Sequence, residues 1–253
     1  MGCIENSICG HCSTIGYRSV TTILYISYRS VTMSILLRMS VTMAVRRKGA
    51  TRTITTGAVA HTQILDAAEN LFYLEGARNV GIDAVVRRAG VNKMSLYRQF
   101  ESKEDLLQHY LVRTDQKFWA YFDASIDKHP GDPRHQLRQL FVDLAQRTLA
   151  ASYRGCPFVN VAVEYPDRSH VARRMVADNK ARLLQRLKEL AKAAGARDAS
   201  SLAKSLALLI EGAYAASQTY SPDSSVMTAL PMAAELLIDA ATVDRDRLSA
   251  RNR

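Results

Sequence analysis

The segment Asn92-Lys93-Met94-Ser95-Leu96-Tyr97-Arg98 gathers an amide, an amine, a hydroxyl, a phenol and a guanidinium within seven residues. No nucleophile–base pair is evident in it, but the set suits a nucleic acid. Lysine and tyrosine can hold phosphates, while small or adaptable side chains can meet base edges. Elsewhere the elements of catalysis do not assemble. The six histidines are scattered, and there is no Gly-rich phosphate loop and no metal cluster. The chain therefore reads as a non-enzyme without a cofactor. Cys9-Gly10-His11-Cys12 matches a redox C-x-x-C pattern, and with Cys3 it could crowd a zinc ion. The strand and helix that would lower a thiol pKa there are missing, so no functional role is expected of it.

The elements that would position residues 92–98 are short helices. From about residue 59, Ile64, Leu65, Ala68, Leu71 and Phe72 recur at three- and four-residue spacing, and Gly76 ends that helix. A second helix is predicted from Ile82 to Ala89, with Asp83 in its first turn and Ile82, Val85, Val86 and Ala89 as its apolar stripe. Gly90 supplies a tight turn and Val91 a core plug. Asn92 can cap a third helix running to about Gln99, and Ser102-Lys103-Glu104-Asp105 resembles a capping box that opens a fourth. Two short helices joined by Gly-Val fit a helix-turn-helix. Leu96 and Phe100 face its core.

The run Gly90-Val91-Asn92-Lys93-Met94-Ser95-Leu96-Tyr97-Arg98-Gln99-Phe100, followed by Ser102-Lys103-Glu104-Asp105-Leu106-Leu107, resembles the tetracycline-repressor (TetR) family. The likeness covers about residues 61–111. It implies an all-α fold: an N-terminal three-helix helix-turn-helix domain and a C-terminal helical ligand-binding and dimerisation domain. By that resemblance Lys93, Tyr97 and Lys103 would hold phosphates, and Asn92, Met94 and Ser95 would face bases, with Arg98 beside them. Gly81 stands where the family usually has a phosphate-binding Thr or Ser, so that contact is lost or made by backbone N–H. Met94 stands where a small residue is common, and it could press on a thymine methyl. Two plainer readings stay open: Tyr97 as a packing residue, and Arg87 and Arg88 as a solvated face.

Residues 115–245 read as further helices, broken at Pro130-Gly131-Asp132-Pro133, at Gly155-Cys156-Pro157 and at Tyr165-Pro166-Asp167. Arg154 to Asn160 resembles a stretch found in a subset of the family, near its inducer cavity. Phe118, Trp119, Phe122, Phe141, Phe158 and Tyr214 could line an apolar pocket, with Asn160 and Glu164 as polar contacts and Cys156 beside them. Each could equally be core. In TetR-like proteins the last two helices pair with a second subunit; here Ala203, Ala207, Ala213, Ala215 and Ala216 would permit close approach. Cys156 is the one thiol outside the first twelve residues, inert if buried, a redox or electrophile sensor if not.

The N-terminal region is of another kind. Tyr17-Arg18-Ser19-Val20-Thr21 recurs as Tyr28-Arg29-Ser30-Val31-Thr32, with a partial copy at Ser40-Val41-Thr42. Tyr-Arg-Ser-Val can be encoded by TACCGATCGGTA, which equals its own reverse complement. A dimer reads palindromes of this type, and 11 codons of DNA is about three turns at about 10.5 base pairs each. Residues 1 to about 42 are thus expected to be translated operator DNA, with the start at Met33, Met39 or Met43; a disordered extension is the alternative. Arg46, Arg47, Lys48 and Arg52 form either a basic arm suited to phosphates or a minor groove, or a solvated, disordered lead-in.

The expected organisation is an extension over 1–57, the helix-turn-helix over 58–112, the ligand and dimer domain over 113–245, and a tail over 246–253. The formal charge is +10, but residues 57–110 alone carry six basic against seven acidic side chains, so net charge does not establish DNA binding. The most apolar stretch, residues 20–45, is interrupted by Arg29 and Arg38, so no membrane span is expected. Together these readings point to a cytoplasmic, ligand-responsive repressor. It would bind palindromic double-stranded operator DNA as a homodimer and regulate its own gene, its small-molecule inducer unspecified. An activator of the same fold, or a DNA-binding dimer without an inducer, are the alternatives.

Overall fold

The structure, a computed structural model, describes residues 57–242, and all regular elements among them are helices. The N-terminal repeat, the Cys9–Cys12 motif, Arg46, Arg47 and the tail lie outside the described residues. Helix α1 (Gly57–Leu71) turns Ala60, Ile64, Leu65, Ala68 and Leu71 inward, the spacing of one helical face. The helix does not continue unchanged to Gly76. Phe72–Gly76 is a π-helical turn, and Gly76 takes a φ of +92°. Nothing in the residue spacing signals that widening.

Helix α2 (Ile82–Ala89) ends on Gly90 at φ +68°, the left-handed position that terminates a helix without strain for glycine. Helix α3 (Lys93–Tyr97) follows, two residues shorter at its C-terminal end than expected. Val85, Val86, Leu96 and Phe100 are buried against α1, and Phe100 stacks on His61 with ring centroids 4.7 Å apart.

Helix α4 (Lys103–Ile126) opens on the expected box, with a twist. Ser102 Oγ accepts the Asp105 N–H at 3.0 Å, and Asp105 Oδ2 accepts the Glu101 N–H at 3.0 Å. The boundary drawn at 112 and 113 falls inside this continuous helix. Leu106, Leu107 and Leu111 serve the core around α1, while Phe122 and Ser125 are buried farther along.

Asp132 caps α5 (Pro133–Thr148), and Pro133 sits where its missing N–H costs nothing. Helix α6 (Pro157–Glu164) follows a loop, and α7 (Val171–Ala193) starts later than Tyr165-Pro166-Asp167 suggested. Asp167 instead takes the Ser169 N–H at 2.9 Å in a turn before α7. Helices α8 (Ala199–Ala216), α9 (Ser225–Thr228) and α10 (Leu230–Thr242) complete the body, with Pro231 in the first turn of α10. Leu137, Phe141, Leu183, Leu187, Leu206 and Ile238 are buried where α5, α7, α8 and α10 meet.

Ser225–Thr242 is long and apolar enough to cross a membrane by length and composition alone. Its packing argues otherwise. Asp239 takes Arg134 and Arg138 at 2.7 Å each, Glu235 takes Arg138 at 3.3 Å, and α10 lies against α5 and α8. Bare lipid would leave those carboxylates and guanidiniums to be desolvated.

Candidate nucleic-acid interface and helical cavity

Helix α3 is held by one apolar anchor, Leu96, which is fully buried. Asn92 is exposed, but its Oδ1 is committed to the Ser95 N–H at 2.8 Å. It caps the helix, which leaves only its Nδ2 free to donate. Ser95 is half-buried. Met94 and Tyr97 stand out at 66% and 53% exposure, and Arg98 is exposed in the turn that follows. The packing alternative for Tyr97 thus has no support in its surroundings. Lys93 reaches back to Asp83 on α2 at 2.8 Å, and that hydrogen bond raises its pKa. The pair is exposed, so it ties the two short helices loosely.

Gly81 caps α2 with an ordinary φ of −87° and no side-chain hydrogen bond. A Cβ placed there would meet nothing within 4 Å. Glycine is therefore not required by the backbone, and the bare α2 N-terminus is open to an anion. Lys103 departs from its expected role. Its Nζ donates to the Arg78 carbonyl at 2.9 Å, and burial lowers its pKa. It closes the turn after α1 rather than reaching outward. Arg88 donates to Asn70 at 3.2 Å, while Arg87 is exposed.

The second feature is a cavity of about 650 Å³ where α1, α4, the end of α5, the 150–156 loop, α6 and α8 meet. Of the residues expected to line it, Phe118, Cys156, Phe158 and Tyr214 do. The others do not. Phe141 is fully buried in the core. Phe122 lies under Arg186, 4.9 Å from its ring centroid. Trp119 bonds Asp115 at 3.0 Å beneath Arg182, on the α7 side of α4. Asn160 donates to the Arg154 carbonyl at 2.9 Å. Glu164 accepts the Arg78 N–H at 2.7 Å and lies against Gly76, where a Cβ would come 3.1 Å from its Oε1.

Glu164 thus braces α6 against the end of α1, and Asn160 ties α6 to the loop before it, instead of facing the cavity. Tyr73 joins the same brace: its hydroxyl donates to Gly155 O at 3.1 Å and accepts the Arg154 N–H at 2.6 Å. Arg154 returns bonds to the carbonyls of Tyr73 and Leu74.

Sequence reasoning missed Tyr73, Tyr110, Thr114, Tyr121, Arg147 and Tyr153 in the cavity wall. One signal was available. Tyr110, Thr114, Phe118 and Tyr121 recur at helical spacing along α4. The remaining wall residues come from separate stretches that only packing brings together.

The Cys156 thiol is buried and its pKa is pushed up, mainly by that burial, although Lys180 Nζ lies 3.7 Å from its sulfur. Such a thiol is a poor nucleophile at neutral pH. Among the described residues no cluster of His, Cys, Asp and Glu could hold a metal.

A small head that leaves polar and soft side chains on a short helix, carried by a helical body with an aromatic cavity, defines a helix-turn-helix regulator. The comparisons with known proteins agree. Residues 64–110 match the family model for bacterial regulatory proteins of the tetR family, and residues 133–233 match the tetracyclin repressor-like C-terminal domain. A TetR-family transcriptional regulator from Streptomyces coelicolor is 29% identical with a TM-score of 0.70, over 74% of this chain and 97% of that one. A TetR-type regulator from Streptomyces avermitilis is 30% identical with a TM-score of 0.64, over 72% and 97%.

Among curated proteins, a helix-turn-helix transcriptional regulator of Mycobacterium tuberculosis is 38% identical over 55 residues. That is 22% of this chain, and the match spans only 27% of the relative's length. The regulator AcrR of Shigella flexneri is 26% identical over 99 residues, 36% of this chain and 42% of its own. The chain belongs to the TetR family of transcriptional regulators, a family of DNA-binding proteins and not of enzymes.

Proposed function

We propose that the protein is a cytoplasmic repressor that binds palindromic operator DNA as a homodimer and releases it when a small molecule enters the body cavity. One observation carries the DNA-reading part: Met94 and Tyr97 are exposed on a helix whose only buried side chain is Leu96, and Arg98 is exposed in the turn after it. Lys93 supplies the phosphate contact on giving up Asp83, and the open α2 N-terminus at Gly81 supplies another. Asn92 positions α3, and Lys103 positions the turn before α2. A TetR-family structure at a TM-score of 0.61 and 21% identity is of a complex with double-strand operator DNA, which supports the same use of this fold here.

The dimer reading is supported by an apolar face on the last long helices. Leu208 on α8 is 74% exposed, and Met232 and Leu236, one turn apart on α10, are 60% and 65% exposed. Patches of this kind mark interfaces. Of the small residues expected there, Ala203 and Ala213 pack inside the subunit, leaving Ala215 exposed and Ala207 and Ala216 half-buried. Autoregulation rests on the Tyr-Arg-Ser-Val repeat and its palindromic coding.

The test is a gel shift with duplex DNA carrying TACCGATCGGTA, with scrambled duplex as control. The expected result is a saturable shift of two protomers per palindrome that scrambling abolishes. Binding that is indifferent to scrambling overturns the autoregulatory site. Affinity for every duplex unchanged in a Lys93→Ala/Tyr97→Ala variant overturns the interface.

A further inference from the structure

The cavity wall is not evenly apolar. Phe118, Phe158 and Tyr110 give it flat aromatic faces. Its acidic residues are already satisfied: Asp66 and Glu69 are held by Arg113, and Glu69 also by Lys117. Arg147, in the last turn of α5, is different. Its guanidinium lies over the Tyr121 ring, 5.2 Å from the centroid, and among the described residues no carboxylate pairs with it.

Tyr153 and Tyr214 line the same cavity, and Arg147 is near enough for its charge to act on both. Their hydroxyls have no hydrogen-bond partner among the described residues, although Tyr214 is only 6% exposed. Neither oxygen is a buried polar atom without a partner, so both phenols reach accessible space and can donate to a ligand. Burial raises both phenol pKa values and keeps the groups as donors. The α6 N-terminus, with Cys156, Pro157 and Phe158, presents its positive end to the same wall.

We propose that the cavity takes an aromatic carboxylate, its ring among Phe118, Phe158 and Tyr110 and its carboxylate at Arg147, Tyr153 and Tyr214. The proposal rests on the inducer reading of this cavity. Two phenol donors and one guanidinium without a partner supply the hydrogen bonds a carboxylate lacks after leaving water, and the ion pair makes them strong. A cationic ligand would meet Arg147 unfavourably and find the carboxylates taken. A neutral carbonyl would use the phenols and leave the guanidinium unmatched.

The experiment titrates the full chain calorimetrically with 2-naphthoate and with 2-naphthamide, which has the same ring and no charge. The acid is expected to bind at least about tenfold more tightly than the amide. Arg147→Gln should weaken the acid about tenfold and leave the amide within about twofold. Tyr214→Phe should weaken the acid several-fold, and thermal melts confirm that both variants fold. Equal affinity for acid and amide, no binding of the acid, or indifference to Arg147→Gln would overturn the ligand class. A parallel gel shift separates the two readings: if the acid binds and the DNA stays bound, the inducer reading fails while the ligand class stands.

Discussion

Helix α3 and the cavity wall use their side chains in opposite ways. On α3 a single residue, Leu96, connects to the core, and Met94, Tyr97 and Arg98 project with little support from the fold. In the cavity the same residues do both jobs: Phe158 and Tyr214 are buried parts of the core cluster and also wall residues. The difference separates two kinds of constraint. The exposed side chains there can change with small effect on stability, so under the proposed function specificity can shift freely. Cavity residues cannot change without disturbing packing, so ligand preference and stability are bound together.

The sharpest way to break this contrast is Phe158→Ala. Truncating a buried phenylalanine should cost about 3–5 kcal/mol and remove ligand binding along with it, read by chemical denaturation and calorimetry. A loss under about 1 kcal/mol would mean the wall is not part of the core. Tyr97→Ala is the counterpart. It should weaken operator binding by about 1–3 kcal/mol while stability stays within about 0.5 kcal/mol, read by gel shift and thermal melt on one preparation.

Asn92→Ala sits between the two regimes. Its side chain serves the Ser95 N–H and not a base, so the loss should be about 1 kcal/mol of stability. Its DNA sequence preference should be unchanged; an altered base preference would return Asn92 to the readers.

The smallest effect lies far from both regions. Hydrogen bonds from Arg134 and then Arg138 hold the Asp239 carboxyl below its usual pKa. Its contribution is present above about pH 4 and is lost as the pH falls through the lowered value. Asp239→Asn should therefore flatten part of the acid limb of the stability profile. The pair is well exposed, so the effect stays below about 1 kcal/mol.

The head was legible in the sequence because its signals are local. Asn92 and Ser102 cap within three residues, Gly90 turns the chain by itself, and Leu96 follows from helical spacing. What was misplaced depends on partners distant in sequence. Lys103 looks like a phosphate ligand until the Arg78 carbonyl is found beside it. Glu164 looks like a cavity group until α1 ends against it. Phe122 and Phe141 have the composition of wall residues, but the faces of α4 and α5 carrying them meet other helices. Arg147 and Tyr153 carried no periodic cue at all.

Because α4 runs unbroken from Lys103 to Ile126, about 36 Å at 1.5 Å per residue, it acts as a stiff rod shared by head and body. Leu106 and Leu107 at one end are wedged in the head, while Phe118 and Tyr121 line the cavity. Under the inducer reading proposed above, a push on Phe118 meets no break in the helix and travels to the head as a tilt, lengthened by the distance between them.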